Sequence, residues 1–248
     1  MFERFLSNKQ FRRVQSFVSG EIWLLAAIAV VSGLILAFLS IADEVVEGET
    51  EAFDKSILML FRDPNNVDQI IGPQWVHEMV RDITSLGSFS LLSLAVVGVC
   101  AYLVMVRLRS AALLLVVSVL TGTLLSTFLK MGYNRPRPDL TAMSTQFTAS
   151  FPSGHAMLSA VTFLTIGAVL ARLAPTRRLK IFAIGTAIFL TVLVGSSRLY
   201  MGVHYPSDVL AGWCLGAAWA VLCSTIAFKL QKSGAVEEPA AQVTEPAR

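Results

Sequence analysis

SAALLLVVSVLTGTLLSTFLK, residues 110–130, decides the fold of this chain. The run carries no charge until Lys130, and about 20 mostly apolar residues is the length an α-helix needs to cross a bilayer. Five further runs share that character, at roughly 22–42, 88–106, 155–173, 179–197 and 208–228. With 54% hydrophobic and 15% charged residues and a mean hydropathy of +0.65, the 248 residues are too apolar for an ordinary soluble domain. The expected fold is all-α, a polytopic membrane protein with a six-transmembrane-helix bundle. Residues 1–230 read as one domain, without an internal repeat.

Orientation follows from where the cations lie, since a net charge of +3 is unremarkable. Arg4, Lys9, Arg12 and Arg13 precede the first span, and Arg107 and Arg109 separate the second from the third. Arg172, Arg177, Arg178 and Lys180 separate the fourth from the fifth; Lys229 and Lys232 follow the sixth. The positive-inside rule makes all four segments cytoplasmic. Both termini are then expected in the cytoplasm of a bacterial cell, the spans in its inner membrane, and the intervening loops facing the periplasm or cell exterior. Ser40-Ile41-Ala42 resembles a signal cleavage site, but the apolar run before it exceeds the 7–15 residues usual for one, so a retained helix is expected. Cationic residues are divided among loops, and no nucleic-acid partner is implied.

The outer loop 43–87 begins acidic, at Asp43, Glu44, Glu47, Glu49 and Glu51, and continues with Phe53, Ile57, Leu60 and Phe61 at helical spacing. Trp75, Val76 and Met79 repeat the pattern, so two short interfacial helices are expected, as a doorway for a lipid or as a cover. Residues 231–248, rich in Glu, Ala and Pro, read as a disordered cytoplasmic tail. Cys100, Cys214 and Cys223 fall inside spans and read as small buried hydrophobes. Gly212 and Gly216 form a small-xxx-small pair that suits close helix packing and leaves the oligomeric state open.

Chemistry concentrates at the span ends. Lys130 ends the third span, His155 begins the fourth, Arg198 ends the fifth and Asp208 begins the sixth. Successive spans reverse direction, so these ends meet at one membrane face. Lys130, Arg137 and Arg198 suit a phosphate group, the arginines as planar forks and the lysine as a point charge. Ser153 and Gly154 precede the fourth helix, whose N-terminal N–H groups and dipole favour an anion; Ser153 is also a natural N-cap. His77, alone in the outer loop, reads as an ordinary polar residue. His155 and His204 lie beside the cations, where one imidazole can attack phosphorus while the other protonates the leaving oxygen. His204 is the better nucleophile, since Asp208 lies four residues on and reaches its other ring nitrogen if the backbone there is helical. His155 is then the acid.

These residues resemble the type 2 phosphatidic acid phosphatase (PAP2) superfamily, membrane lipid phosphatases that share a site with glucose 6-phosphatase and vanadium haloperoxidases. Three signatures carry the resemblance: Lys130-MGYNRP-Arg137-Pro138, Pro152-Ser153-Gly154-His155, and Ser197-Arg198-LYMGV-His204-YPS-Asp208. All three stand without a gap or substitution. The resemblance implies His204 as nucleophile, Asp208 as its partner and His155 as acid, with Lys130, Arg137, Ser153, Gly154 and Arg198 holding phosphate. It also implies that no metal and no other cofactor is needed. Arg135 lies outside the signatures; recognising a head group and pairing with Asp139 are equal readings for it.

The expected activity is metal-independent hydrolysis of a phosphomonoester or diphosphate of a membrane lipid through a phosphohistidine. Undecaprenyl diphosphate is slightly preferred over phosphatidylglycerol phosphate, phosphatidic acid and the phosphate of lipid A, which fit equally by charge. A lipid phosphotransferase uses the same residues. A non-hydrolytic carrier needs the arginines but not an aspartate-supported histidine facing a second one. A haloperoxidase suits six apolar spans poorly.

Overall fold

The computed structural model describes residues 9–140 and 148–232. Arg4 and the tail beyond Lys232 therefore lie outside the described residues. The first long helix, α1 (Lys9–Glu47), is followed by the outer loop, which holds α2 (Glu51–Met59), a hairpin of β1 (Arg62–Asp63) and β2 (Asn66–Ile70), and α3 (Gln74–Ser85). The remaining helices are α4 (Phe89–Met105), α5 (Arg109–Tyr133), α6 (Gly154–Leu173), α7 (Arg177–Tyr200) and α8 (Pro206–Lys232).

Five of these helices are long and apolar enough to cross a membrane, and α3 with α4, bent by 51°, makes a sixth span if the pair is taken as one. α4 alone has 17 residues, at the short end for a span. The two expected interfacial helices are present as α2 and α3. The hairpin between them departs from the all-α expectation. The helical spacing through Phe61 is cut short because Asp63-Pro64-Asn65-Asn66 has turn chemistry: the Asp63 side chain accepts from the Asn65 N–H at 2.7 Å, and Asn66 accepts from the Asp68 N–H.

α6 is the centre of the bundle, with α5, α7 and α8 packed around it. Small side chains allow this: Ala156, Ser159, Ala160 and Gly167 are buried on α6. On α8, a Cβ at Gly216 would stand 2.5 Å from the Met157 carbonyl oxygen and one at Gly212 would stand 2.8 Å from that of Ser153. Lipid gives no hydrophobic drive between helices, so such close approach, with interhelical hydrogen bonds, holds the bundle. Ser118 and Thr165 bond across α5 and α6 at 3.1 Å, and the Trp219 indole donates to the Ser118 carbonyl at 3.2 Å. The three cysteines are only half-buried, not enclosed as expected.

One aromatic group fixes the end of the bundle where α6 begins. Phe151, fully buried, stacks on Phe38 of α1 at 5.9 Å and meets Tyr133 of α5 edge-on at 4.9 Å. This anchors the chain just before Pro152-Ser153-Gly154 and aims the start of α6.

Candidate active site

The last turn of α5 carries Lys130, and Asn134, in the left-handed region at φ 41°, ends the helix. Asn tolerates that conformation, and Pro136 and Pro138 keep the following residues out of the helix. The short extended stretch sends two arginines toward the turn before α8. Arg137 donates from Nη1 to the Val203 carbonyl at 3.0 Å and meets His204 Nε2 at 3.2 Å; its Nε and Nη2 reach Thr148. Lys130 donates to the Ala149 carbonyl at 2.7 Å.

Ser153 occupies the N-cap position of α6 but makes no capping bond, and its buried hydroxyl has no partner among the described residues. Its N–H instead donates to the Asp208 carbonyl at 3.0 Å, tying α6 to α8. Lys130 lies alongside Gly154: a Cβ there would come 3.4 Å from Lys130 Cε. The N-terminal N–H groups of α6, orphaned by helix geometry, thus open beside a cation. His155 makes no hydrogen bond among the described residues and lies within electrostatic reach of Arg198, His204, Arg137 and Lys130.

Asp208 reaches His204 by a route the sequence did not suggest. The backbone through 201–205 is a turn, and α8 starts only at Pro206. Pro is welcome in a first helical turn, and Asp208 in that turn bends back to accept from the Tyr205 N–H at 2.9 Å, as an acidic residue does in a capping box. The same oxygen, Oδ2, lies 3.4 Å from His204 Nδ1. Ser150 completes the contact: its hydroxyl is 3.2 Å from His204 Nδ1 and donates to Asp208 Oδ2. An acceptor at Nδ1 and a guanidinium donor at Nε2 place the ring proton on Nδ1 and the lone pair on Nε2. Burial holds the His204 pKa down at about 4, with Arg137 and Arg198 adding to it and Asp208 opposing, so the ring is neutral at pH 7. Burial also lowers Arg137, with Asp208 opposing.

Arg198 is 3% exposed. Its Nη1 donates to Thr84 at 3.0 Å, while Nε and Nη2 are buried without a partner among the described residues. Buried donors left unmatched call for an acceptor. Among the described residues, Lys130, Arg137 and Arg198 have no carboxylate within ion-pair distance.

Arg135 is different. It does not pair with Asp139, one of its two sequence readings. Its two arms bind the buried carboxylates of Asp208 and Asp54, each at 2.8 Å. Asp54 lies on α2, so the outer loop enters the site directly. The loop makes two more such contacts. Thr84 of α3 holds Arg198, and Arg62 of the hairpin donates to the Tyr200 carbonyl at 3.3 Å and packs against Gly202. Gly202, at φ 68°, takes a backbone that a side chain would strain. His77 stays outside the cluster, 3.3 Å from the Ile71 carbonyl. Ser150, Asp54 and Thr84 carried no signal in the sequence beyond being polar residues near apolar ones.

A membrane helix bundle that gathers at one end a neutral, carboxylate-oriented histidine and three cations lacking carboxylate partners among the described residues has the makings of an enzyme for anionic groups. The family model of the PAP2 superfamily matches residues 111–232. Phosphatidylglycerophosphatase B of Bacillus subtilis is 32% identical over 74% of this chain and 87% of its own length. The crystal structure of a transmembrane PAP2 type phosphatidylglycerolphosphate phosphatase from Bacillus subtilis superposes with a TM-score of 0.69 at 32% identity, covering 81% of this chain and 96% of that one. An undecaprenyl-diphosphatase of Sulfolobus acidocaldarius is 37% identical over 36% of this chain and 37% of its own length. The chain belongs to the PAP2 superfamily.

Proposed function

We propose that this PAP2 lipid phosphatase cleaves a phosphate from a lipid at the outer leaflet of a bacterial inner membrane, through a phosphohistidine on His204. The observation that carries the reading is the pair of contacts that orients His204: Nδ1 faces Ser150 and Asp208, and Nε2 faces Arg137. Phosphate bound by Lys130, Arg137, Arg198, Ser153 and the N–H groups at Gly154 displaces Arg137 from Nε2. The Nε2 lone pair then forms a bond to phosphorus as the bond to the lipid oxygen breaks. His155 gives that oxygen its proton. Water next attacks the phosphohistidine, His155 takes the proton of that water, and inorganic phosphate leaves with His204 restored. Asp208 stabilises the charge on the ring throughout, the orienting logic of a triad. No metal is needed in any step.

Orientation rests on the positive-inside distribution described above, which puts both termini in the cytoplasm and the site outside. The four lipids fit equally by charge, and the compact size and outward-facing site gave undecaprenyl diphosphate a slight preference. Likeness now favours phosphatidylglycerophosphate, because the phosphatidylglycerophosphatase is matched over 87% of its length and the undecaprenyl-diphosphatase over 37%. The test is phosphate release by purified protein in detergent and EDTA, across four lipids: phosphatidylglycerophosphate, undecaprenyl diphosphate, phosphatidic acid and lipid A. Release from phosphatidylglycerophosphate above the rest, lost in His204→Ala, is expected. Release that survives the substitution, or that needs added Mg²⁺, sinks the mechanism. Release only when a second lipid is supplied points to phosphotransfer.

A further inference from the structure

We propose that the ion pair of Asp54, from the outer-loop helix α2, and Arg135 is a positioning unit that sets the orientation and charge of Asp208 for the reaction at His204. It rests on the role proposed for His204, and neither residue belongs to the spacing pattern that defines the family resemblance.

The geometry is specific. Arg135 Nη1 donates to Asp208 Oδ1 at 2.8 Å and to the Ser207 hydroxyl at 2.8 Å. Its Nη2 donates to Asp54 Oδ2 at 2.8 Å and to Thr50 at 3.3 Å. With Oδ1 of Asp208 held by Arg135, Oδ2 is the oxygen that meets Ser150, the Tyr205 N–H and His204 Nδ1. Asp54 is fully buried, accepts from the Ser207 N–H at 2.9 Å and from its hydroxyl at 2.6 Å, and so fixes the first turn of α8 as well. The Tyr205 ring covers the guanidinium at 4.2 Å from its centroid. A planar fork can satisfy two carboxylates at once, which the ammonium of a lysine cannot do with this geometry.

The electrostatics point the same way. Burial opposes the charge on Arg135, but Asp208 and Asp54 outweigh it and hold its pKa above the ordinary value. Arg135 tempers the negative charge that Asp208 presents to His204, and Asp54 tempers Arg135. The other charges facing His204 come from Arg137 beyond α5 and Arg198 on α7, with His155 on α6 also within reach; Lys130 on α5 acts on Asp208. None of these is altered by changing the pair. Removing the Arg135 charge favours the protonated ring, so the His204 pKa rises. Removing both members takes away one charge of each sign and moves it less.

The test uses the full chain in detergent with ring-labelled histidine, following the His204 resonance by NMR from pH 3 to 8, the signal being assigned by its loss in His204→Ala. Steady-state phosphate release is measured on the same samples. Arg135→Gln is expected to raise the His204 pKa by on the order of one unit, and to lower kcat about tenfold with KM within about twofold, since Arg135 does not touch phosphate. Asp54→Asn with Arg135→Gln is expected to move it less than half as far, with kcat still low. Arg135→Lys keeps the charge, so the titration stays near wild type while kcat falls. An unmoved titration in folded Arg135→Gln overturns the proposal, as does a rise in KM that accounts for the whole loss. Should Arg135→Gln fail to fold, wild-type kcat in Arg135→Lys overturns it. Absence of phosphate release from the wild type sinks the function proposed above and leaves the titration readable.

Discussion

The segment 130–208 and the outer loop, which starts at Gly48 rather than Asp43 because α1 runs on to Glu47, meet at the same cluster of charges and are built in opposite ways. In the first, four groups stand at the ends of long helices, Lys130 on α5, His155 on α6, Arg198 on α7 and Asp208 on α8, and Arg137 and His204 lie in the connections between those ends. Helix packing brings those ends together. In the second, short elements contribute single residues, Asp54 from α2, Arg62 from the hairpin and Thr84 from α3. Each grips a group of the first region or its neighbour. A loop that only covered the site would not need a fully buried aspartate and a buried arginine at its contact surface. The difference teaches that, on the proposed mechanism, the bundle supplies the reacting groups and the loop supplies the contacts that position them.

Direct loss of an anion-holding group should give the largest effect on the first region. Arg198→Ala is expected to lower kcat/KM by about two to three orders of magnitude, measured by phosphate release from the preferred lipid. A loss under tenfold would mean that its two unmatched buried donors do not face the phosphate.

The pH profile probes the same region. The His204 pKa of about 4 lies below the ordinary 6.5, because burial disfavours the charged ring. Protonation removes the attacking lone pair, so kcat/KM falls as pH drops through the folded-enzyme value, and the plateau extends below pH 6.5. Proton donation by His155 to the leaving oxygen gives kcat, rather than kcat/KM, a basic limb once bound phosphate offsets the cations around that ring. An acid limb at or above 6.5, after correction for titration of the lipid phosphate, breaks the picture of a buried neutral nucleophile.

Much of the first region was legible and little of the second. A run such as 110–130 announces a span through composition alone, and polar groups at span ends are conspicuous against apolar surroundings. Where a contact is short in sequence, the partners were legible and the route was not: His204 and Asp208 were expected to meet if the backbone there were helical, and they meet because Asp208 folds back over the start of α8. Arg135 could not be assigned because its partner Asp54 is 81 residues away. Ser207 and Asp54 are 153 apart. Hydroxyl and carboxylate residues in an amphipathic loop look like solvent-facing groups until a tertiary fold encloses them. The hairpin hid for a related reason: apolar spacing suited to a helix ran into turn residues, and local turn chemistry won.

Ser150 lies on the boundary between the two kinds of residue. It stands two places before Pro152, yet nothing in its type marks it. Its hydroxyl fills the long 3.4 Å approach of Asp208 to His204. Ser150→Ala is expected to lower kcat about tenfold, the value of a hydrogen bond to a charged group, with KM little changed. A matching rise in KM would assign it to phosphate binding instead.

The smallest effect tests the loop most sharply. Among the described residues, the Thr84 hydroxyl bonds to the site through Arg198 Nη1, at 3.0 Å. Thr84→Val keeps the volume and β-branched shape while removing the acceptor. The packing of α3 on α7 should therefore survive, and thermal unfolding in detergent should move by only a few degrees. The Arg198 side chain would lose its one hydrogen-bond partner among the described residues and gain rotamer freedom, which weakens its hold on phosphate in ground and transition states alike. The expected signature is a KM raised about threefold to tenfold with kcat nearly unchanged. A drop in kcat alone would mean that Thr84 orients Arg198 for the transition state only. Wild-type kinetics would reduce α3 to a cover, and the holding role of the loop would then rest on Asp54 and Arg62 alone.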